Sequence, residues 1–115
     1  MPSLRTPEGK KIYQDHLEAQ KPSDPCALCA KGALKDFAFW KVTDNSFPYD
    51  KIAKTHHMLV PRRHVSEKEL SREELEELRS IKDSYINEGY DWIIEATRRS
   101  KSIPDHFHLH LIVGK

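Results

Sequence analysis

Residues 106–112 read His-Phe-His-Leu-His-Leu-Ile. In a β-strand, successive side chains point to opposite faces, so His106, His108 and His110 share one face. Phe107, Leu109 and Leu111 share the other and can enter a core. A rise of about 3.3 Å per residue sets neighbouring imidazoles about 6.6 Å apart along the strand. Three rings at that spacing can engage different parts of one phosphate-sized group or a metal. Imidazole suits phosphoryl chemistry because it is largely neutral at pH 7. A neutral ring nitrogen can attack phosphorus and form a covalent intermediate. A protonated neighbour can stabilise the charge that builds on the phosphate oxygens. A metal site and a plain polar face are the competing readings of the same three residues.

Cys26-Ala27-Leu28-Cys29 is the second chemical motif. Such a spacing serves zinc binding, thiol redox chemistry or ordinary packing. Here it follows Pro25 and precedes the first apolar strand, whereas a thioredoxin-type pair opens a helix after a strand. A closed structural zinc site needs four ligands, so two more must come from elsewhere in the chain.

These residues need a scaffold. Thr6-Pro7-Glu8 has a cap followed by proline at the first helical position, and it predicts a helix to about Gln20. Residues 21–25, Lys-Pro-Ser-Asp-Pro, break it. Phe37–Thr43, His57–Val60, Trp92–Thr97 and His106–Val113 carry the β-branched and aromatic composition of strands. Ser66 with Glu69, and Ser71 with Glu74, have the spacing of capping boxes. From the second a helix runs to Gly89, with Leu75, Leu78, Lys82 and Tyr85 along one stripe and Ile81 and Ile86 beside it. Strands joined by turns and one long helix predict an antiparallel sheet and the α+β class.

The 115 residues are 37% hydrophobic and 32% charged, enough for one modest core, and a single domain is expected over 1–115. Residues 1–25 form an N-terminal helical extension and 26–115 the core. A formal net charge of +1 gives no field suited to nucleic acid, and no nucleic-acid partner is expected. The N-terminus has no apolar stretch of the signal-peptide kind, and no apolar run reaches membrane-spanning length. A cytoplasmic protein with reduced cysteines is expected, with no membrane partner. Arg62, Arg63 and the Arg98–Lys101 stretch are either solvated loops or guides for an anionic substrate.

His106–Ile112 resembles the His-φ-His-φ-His-φ-φ signature of the histidine-triad superfamily, where φ is apolar. His57-Met58-Leu59-Val60-Pro61-Arg62-Arg63-His64 resembles that family's His-x-Leu-Val-x-Pro-Lys/Arg-x-His strand. Asn45-Ser46-Phe47-Pro48 resembles the asparagine-containing segment before it, and Cys26–Cys29 the Cys-x-x-Cys of many bacterial members. The order and spacing agree from about Cys26 to Ile112. In two places the chain departs from the pattern. His56 stands where many members have glycine, and Lys101-Ser102-Ile103-Pro104-Asp105 replaces a Gly-Gln-Ser/Thr segment.

The resemblance implies a five-stranded antiparallel sheet with one long helix, preceded here by the short N-terminal helix. It implies hydrolysis or transfer of a nucleoside monophosphate from a phosphoramidate or dinucleoside polyphosphate. In that reading His108 is the nucleophile and His110 the charged phosphate-binding partner. Asn45 meets the ribose, His57 lines the nucleotide pocket and Ser102 supplies a phosphate contact. Cys26, Cys29, His64 and His106 hold a structural zinc, with His56 as an alternative ligand. A homodimer is also implied. The altered segment before the triad keeps open a nucleotide-binding module without turnover, or a zinc-stabilised interaction module.

Overall fold

The computed structural model describes residues 4–20, 26–97 and 105–115. Five strands form one antiparallel sheet: β1 (Lys35–Asp36), β2 (Trp40–Asp44), β3 (Ala53–Pro61), β4 (Trp92–Ile94) and β5 (Leu109–Gly114), in the order β1-β2-β3-β5-β4. Helix α1 is Pro7–Ala19, and α2 is the single turn Ala27–Ala30. Helix α3 (Arg72–Ile81) runs on through a wider turn, Lys82–Ile86, and a last turn, Asn87–Gly89. This is the α+β sheet-and-helix arrangement expected from the sequence. No helix among the described residues is long and apolar enough to cross a membrane.

The central pairing sets the two faces of the sheet. Met58 lies opposite His110, His56 opposite Ile112, and Leu59 opposite Leu109. Because side chains alternate, Leu59, Leu109 and Leu111 point to the helix side, where they join Trp40, Val42, Phe107, Leu78, Ile81 and Ile86 in the main core. Met58 and Val60 point the other way and cover Leu28 of α2. Alternation along 106–111 therefore sorts apolar and imidazole side chains as the sequence implied, although regular pairing begins only at Leu109. The strand expected at Trp92–Thr97 is shorter, ending at Ile94.

Both capping boxes form. The Ser66 box opens a one-turn 3₁₀ segment, Glu67–Glu69, and the Ser71 box opens α3. The buried stripe of α3 differs from the expected one. Leu75 is 49% exposed, while Glu74 is 1% exposed. The line facing the sheet is Glu74, Leu78 and Ile81, spaced four and three residues apart. Polar chemistry turns the helix this way. The Trp40 indole N–H donates to the Glu74 carbonyl at 2.8 Å, and the Glu74 carboxylate accepts from the Ser71 N–H and from Arg63. Arg63 holds that carboxyl below its ordinary pKa, so it is buried as a satisfied anion.

Helix α1 contributes no buried side chain. It is held at its start by Asp50, whose carboxylate accepts from the Thr6 N–H at 2.7 Å and the Thr6 hydroxyl at 2.8 Å. A Cβ on Gly9 would fall 2.5 Å from that carboxylate, so a side chain there would push Asp50 off Thr6. Further along, Tyr13 and His16 pack on Phe47.

Replacing Glu74 with Ala removes the carboxylate half of the capping box and the ion pair together. It should lower unfolding free energy by about 2–3 kcal/mol, the sum of a lost cap and a lost charge-assisted hydrogen bond. Leu75→Ala should lower it by less than about 1 kcal/mol, since that side chain is half exposed. Urea denaturation of both variants measures this. A larger loss for Leu75→Ala than for Glu74→Ala would refute the orientation argument.

Candidate functional site

The short helix α2 places the two thiols. Cys26 caps it and Cys29 lies one turn on, so both sulfurs face the same side, while Leu28 between them is buried against Met58 and Val60. His64 follows Arg62 and Arg63. Both arginines are committed to structure: Arg62 pairs with Asp36 and donates to the Phe37 carbonyl, and Arg63 pairs with Glu74. His106 donates its Nε2–H to the Pro61 carbonyl at 3.0 Å. That bond directs the Nδ1 lone pair toward the cysteines, 3.4 Å from Cys29 Sγ and 3.5 Å from Cys26 Sγ. His64 Nδ1 lies 3.2 Å from Cys29 Sγ.

The ligand atoms of Cys26, Cys29, His64 and His106 all lie within 4.8 Å of one another. Tetrahedral coordination with bonds of about 2.1 Å to nitrogen and 2.3 Å to sulfur separates ligand atoms by about 3.4–3.8 Å. The four residues therefore fit a metal site, and the Pro61 carbonyl supplies the outer hydrogen bond that metal-binding histidines use. His56, the alternative ligand, is not in this group.

The triad histidines diverge in environment. His108 donates Nδ1–H to the His106 carbonyl at 3.0 Å, because a carbonyl can only accept. The Nδ1–H tautomer puts the lone pair of His108 on Nε2. Its ring centroid is 5.1 Å from that of His110, closer than the strand rise alone suggests, and the planes are nearly perpendicular at 84°.

His110 is linked to His56, not to a carboxylate. His56 Nε2 lies 2.8 Å from His110 Nδ1, and the Tyr49 backbone N–H donates to His56 Nδ1 at 2.9 Å. Burial pushes the His110 pKa down to about 3 and that of His56 to about 4, each against an ordinary value of 6.5, with the nearby cations and imidazoles adding to the effect. The sequence reading gave His110 the role of a charged partner. Burial favours its neutral form, and among the described residues its polar neighbours are His56 and Tyr49.

Asn45 stands at this site through His56. Its side-chain oxygen accepts from the Phe47 N–H at 2.7 Å, which turns its amide nitrogen toward His56 Nε2, 3.2 Å away. His57 does not join them. It faces the helix side of the sheet, where Nδ1 meets the Tyr90 hydroxyl at 2.6 Å. The sequence carries histidine at both parities of β3, and a one-residue shift of register exchanges the faces. Pairing of Met58 with His110 decides the matter and puts His56 on the triad face. Ser102 and the Arg98–Lys101 stretch lie outside the described residues. Tyr49 and Arg5 are further residues of the site, and no sequence periodicity marks them because they sit in a loop and before a helix. The Tyr49 hydroxyl is 3.3 Å from His110 Nε2, and the Arg5 guanidinium lies 4.8 Å from the Tyr49 ring centre.

Two neutral buried imidazoles make stability depend on acid. Their folded pKa values lie below 6.5, so the unfolded chain takes up the protons first. The stability they contribute is present above pH 6.5 and is lost as pH falls from there toward about 4 and 3. Within that window each ring gives a slope of up to about 1.4 kcal/mol per pH unit. Denaturant midpoints at pH 7, 6 and 5 should show a shallower fall for His56→Gln than for the wild-type chain. Equal slopes would show that these rings do not govern acid stability.

The fold has known counterparts. The chain is similar to a histidine triad protein from Clostridium difficile, with 18% identity, a TM-score of 0.57, and coverage of 84% of this chain and 95% of the other. It is similar to a HIT family hydrolase from Clostridium thermocellum, with 17% identity, a TM-score of 0.55, and coverage of 80% and 92%. A third structure, a HIT-like protein, has 13% identity, a TM-score of 0.53, and coverage of 90% and 98%. No protein-family model matches the chain, and no curated protein matches it in sequence. The five-stranded antiparallel sheet with one long helix is thus a fold shared with histidine-triad proteins.

Proposed function

We propose that the protein is a nucleotide-binding hydrolase or transferase. It cleaves a nucleoside monophosphate from a phosphoramidate or a dinucleoside polyphosphate through a nucleotidyl-His108 intermediate. The observation that carries this reading is the His108 tautomer. With Nδ1–H donated to the His106 carbonyl, the nucleophilic lone pair resides on Nε2 of the central triad residue. Nε2 attacks phosphorus, the bond from phosphorus to the leaving nitrogen or oxygen breaks, and the leaving group takes up a proton. Water, or an acceptor in the transferase case, then displaces His108 from the phosphorus and restores the neutral ring. His110 contributes an N–H donor to the phosphoryl oxygens instead of a full positive charge. Asn45 and His56 line the nucleotide side.

Cys26, Cys29, His64 and His106 would hold one zinc ion. Four protein ligands close the coordination sphere, so the metal serves the fold and braces the chain at His106, two residues before the nucleophile. Thiolates kept for zinc fit a reducing compartment, the cytoplasm. Edge strand β4 exposes Trp92 and Ile93, and we place the contact of a homodimer there.

Mass spectrometry of the intact protein, after brief incubation with an adenosine phosphoramidate, should reveal a nucleotidyl adduct in the wild type and none in His108→Ala. Turnover by His108→Ala should fall at least about 10⁴-fold, the usual consequence of losing a covalent nucleophile. His110→Ala should lose about 10²–10³-fold, as expected when a transition-state donor is removed. Near wild-type turnover by His108→Ala would end the nucleophile assignment. Calorimetric binding of a monophosphate by a wild type that forms no adduct would favour a module without turnover.

Protein purified without chelator should contain about one zinc per chain. Cys26→Ser or Cys29→Ser should release it and destabilise the fold by several kcal/mol, since structural zinc contributes on the order of 10 kcal/mol in small domains. Elemental analysis finding no metal in the wild type would overturn the assignment. Full occupancy in both His64→Ala and His106→Ala would overturn the ligand set.

A further inference from the structure

The reading above leaves Tyr49 without a role, although it touches both members of the His56–His110 pair. Tyr49 lies in the connection between β2 and β3, just after Pro48. Its carbonyl accepts from the N–H groups of Ile52 and Ala53 at 3.0 and 2.9 Å, which turns the chain into β3. Its ring stands 4.5 Å from the His56 ring and 4.9 Å from the His110 ring. The residue is therefore anchored by its main chain and packed by its side chain against both imidazoles.

Proton bookkeeping through this cluster has one solution. A backbone N–H can only donate, so His56 Nδ1 must accept from Tyr49. His56 then carries its proton on Nε2. At 2.8 Å that proton can only be given to His110 Nδ1, which must be a bare acceptor. His110 in turn carries its proton on Nε2, where the Tyr49 hydroxyl oxygen accepts it at 3.3 Å. The reverse arrangement, with His110 donating to His56, would leave His56 accepting at both nitrogens, which a neutral imidazole cannot do. The Asn45 amide does not alter this. Its oxygen is held by the Phe47 N–H, so its amide N–H faces the His56 Nε2–H at 3.2 Å, two donors that make no hydrogen bond with each other in this arrangement.

The N-terminal segment fixes the start of this chain of protons. Arg5 lies 4.0 Å from the Tyr13 ring centre and 4.8 Å from that of Tyr49, and its Nε–H donates to the Phe47 carbonyl. The Lys51 N–H donates to the Leu4 carbonyl, and Asp50 holds Thr6. The residues on both sides of Tyr49 are thus bound to the chain before α1.

We propose that Tyr49 is a positioning residue that, through its backbone N–H and its hydroxyl, holds His56 and His110 as Nε2–H tautomers. The consequence rests on the nucleotidyl-transfer reading above. His110 shows a phosphoryl group a proton, while His108 shows it a lone pair. Two adjacent histidines on one face are thereby barred from exchanging roles. The long contact to the Tyr49 hydroxyl keeps the His110 proton oriented, and a phosphoryl oxygen can take it over on binding.

The test uses full-length, zinc-loaded protein labelled with ¹⁵N at histidine. Long-range ¹H–¹⁵N correlation spectra at pH 7.5, without substrate, report which ring nitrogen carries the proton. Wild-type His56 and His110 should both be Nε2–H. Tyr49→Phe keeps the backbone N–H and loses the hydroxyl. It should leave both rings as Nε2–H, because the Tyr49 N–H still fixes His56 and His56 still donates to His110 Nδ1. It should move the His110 Nε2 resonance as its acceptor is lost, and lower kcat about fivefold with KM within twofold, the loss of one neutral hydrogen bond. A wild-type His110 protonated on Nδ1 or on both nitrogens overturns the proposal, whatever the variant does. So does a Tyr49→Phe protein whose His110 spectrum matches the wild type. If the wild type forms no adduct yet shows the expected tautomers, the functional reading fails and the tautomer role of Tyr49 stands.

Discussion

The pairing register of β3 with β5 is the constraint on which the other features rest. Opposing Met58 to His110 assigns every side chain of both strands to a face. Leu59, Leu109 and Leu111 are thereby delivered to the helix side, where they form the centre of the main core. The same register brings His56 within 2.8 Å of His110 and sends His57 to Tyr90 on the far side. A slip by one residue would expose the leucines and bury the wrong histidine. Core packing thus fixes the geometry of the polar site with the full strength of apolar burial.

The polar face of the sheet divides into two environments, and main-chain acceptors make the division. The Pro61 carbonyl takes the Nε2 proton of His106 and leaves Nδ1 for the thiols. The His106 carbonyl takes the Nδ1 proton of His108 and leaves Nε2. Neighbouring imidazoles two residues apart therefore present opposite nitrogens. Strand alternation gives them a common face but says nothing about their protons. Those are set by which acceptor each ring finds, and the acceptors belong to the end of β3 and to the triad segment itself.

Burial of so many imidazoles has to be offset. His56, His106, His108 and His110 are each at most 6% exposed. A charged ring there would lose its water, so burial favours the neutral forms of His56 and His110, which bond to one another. Glu74 shows the opposite solution on the helix side, where an equally buried group keeps its charge because Arg63 and the Ser71 N–H satisfy it. The N-terminal segment adds cover over the histidine pair without burying an apolar side chain in α1, relying on Asp50 and the stacked Arg5.

Local patterns in the sequence determined a good deal. Thr6-Pro7 set the start of α1, the Ser71–Glu74 box set the start of α3, and alternation along 106–111 separated imidazoles from core residues. Cys26 and Cys29, one helical turn apart, were bound to face the same side. Each of these follows from rules that operate within a few residues. What lay beyond them depended on contacts between distant segments. His56 and His57 are equivalent by composition, and only pairing with β5 distinguishes them. Leu75 is the more apolar residue, yet Glu74 is buried because Trp40 and Arg63 hold it there. Tyr49 reaches His110 across 61 positions of chain, and Cys26 reaches His106 across 80. Periodicity records which face a side chain takes within its own element. Which partner that face meets, and which nitrogen keeps its proton, was decided by the tertiary structure, because donors and acceptors remote in the chain must all be satisfied at once where water is excluded.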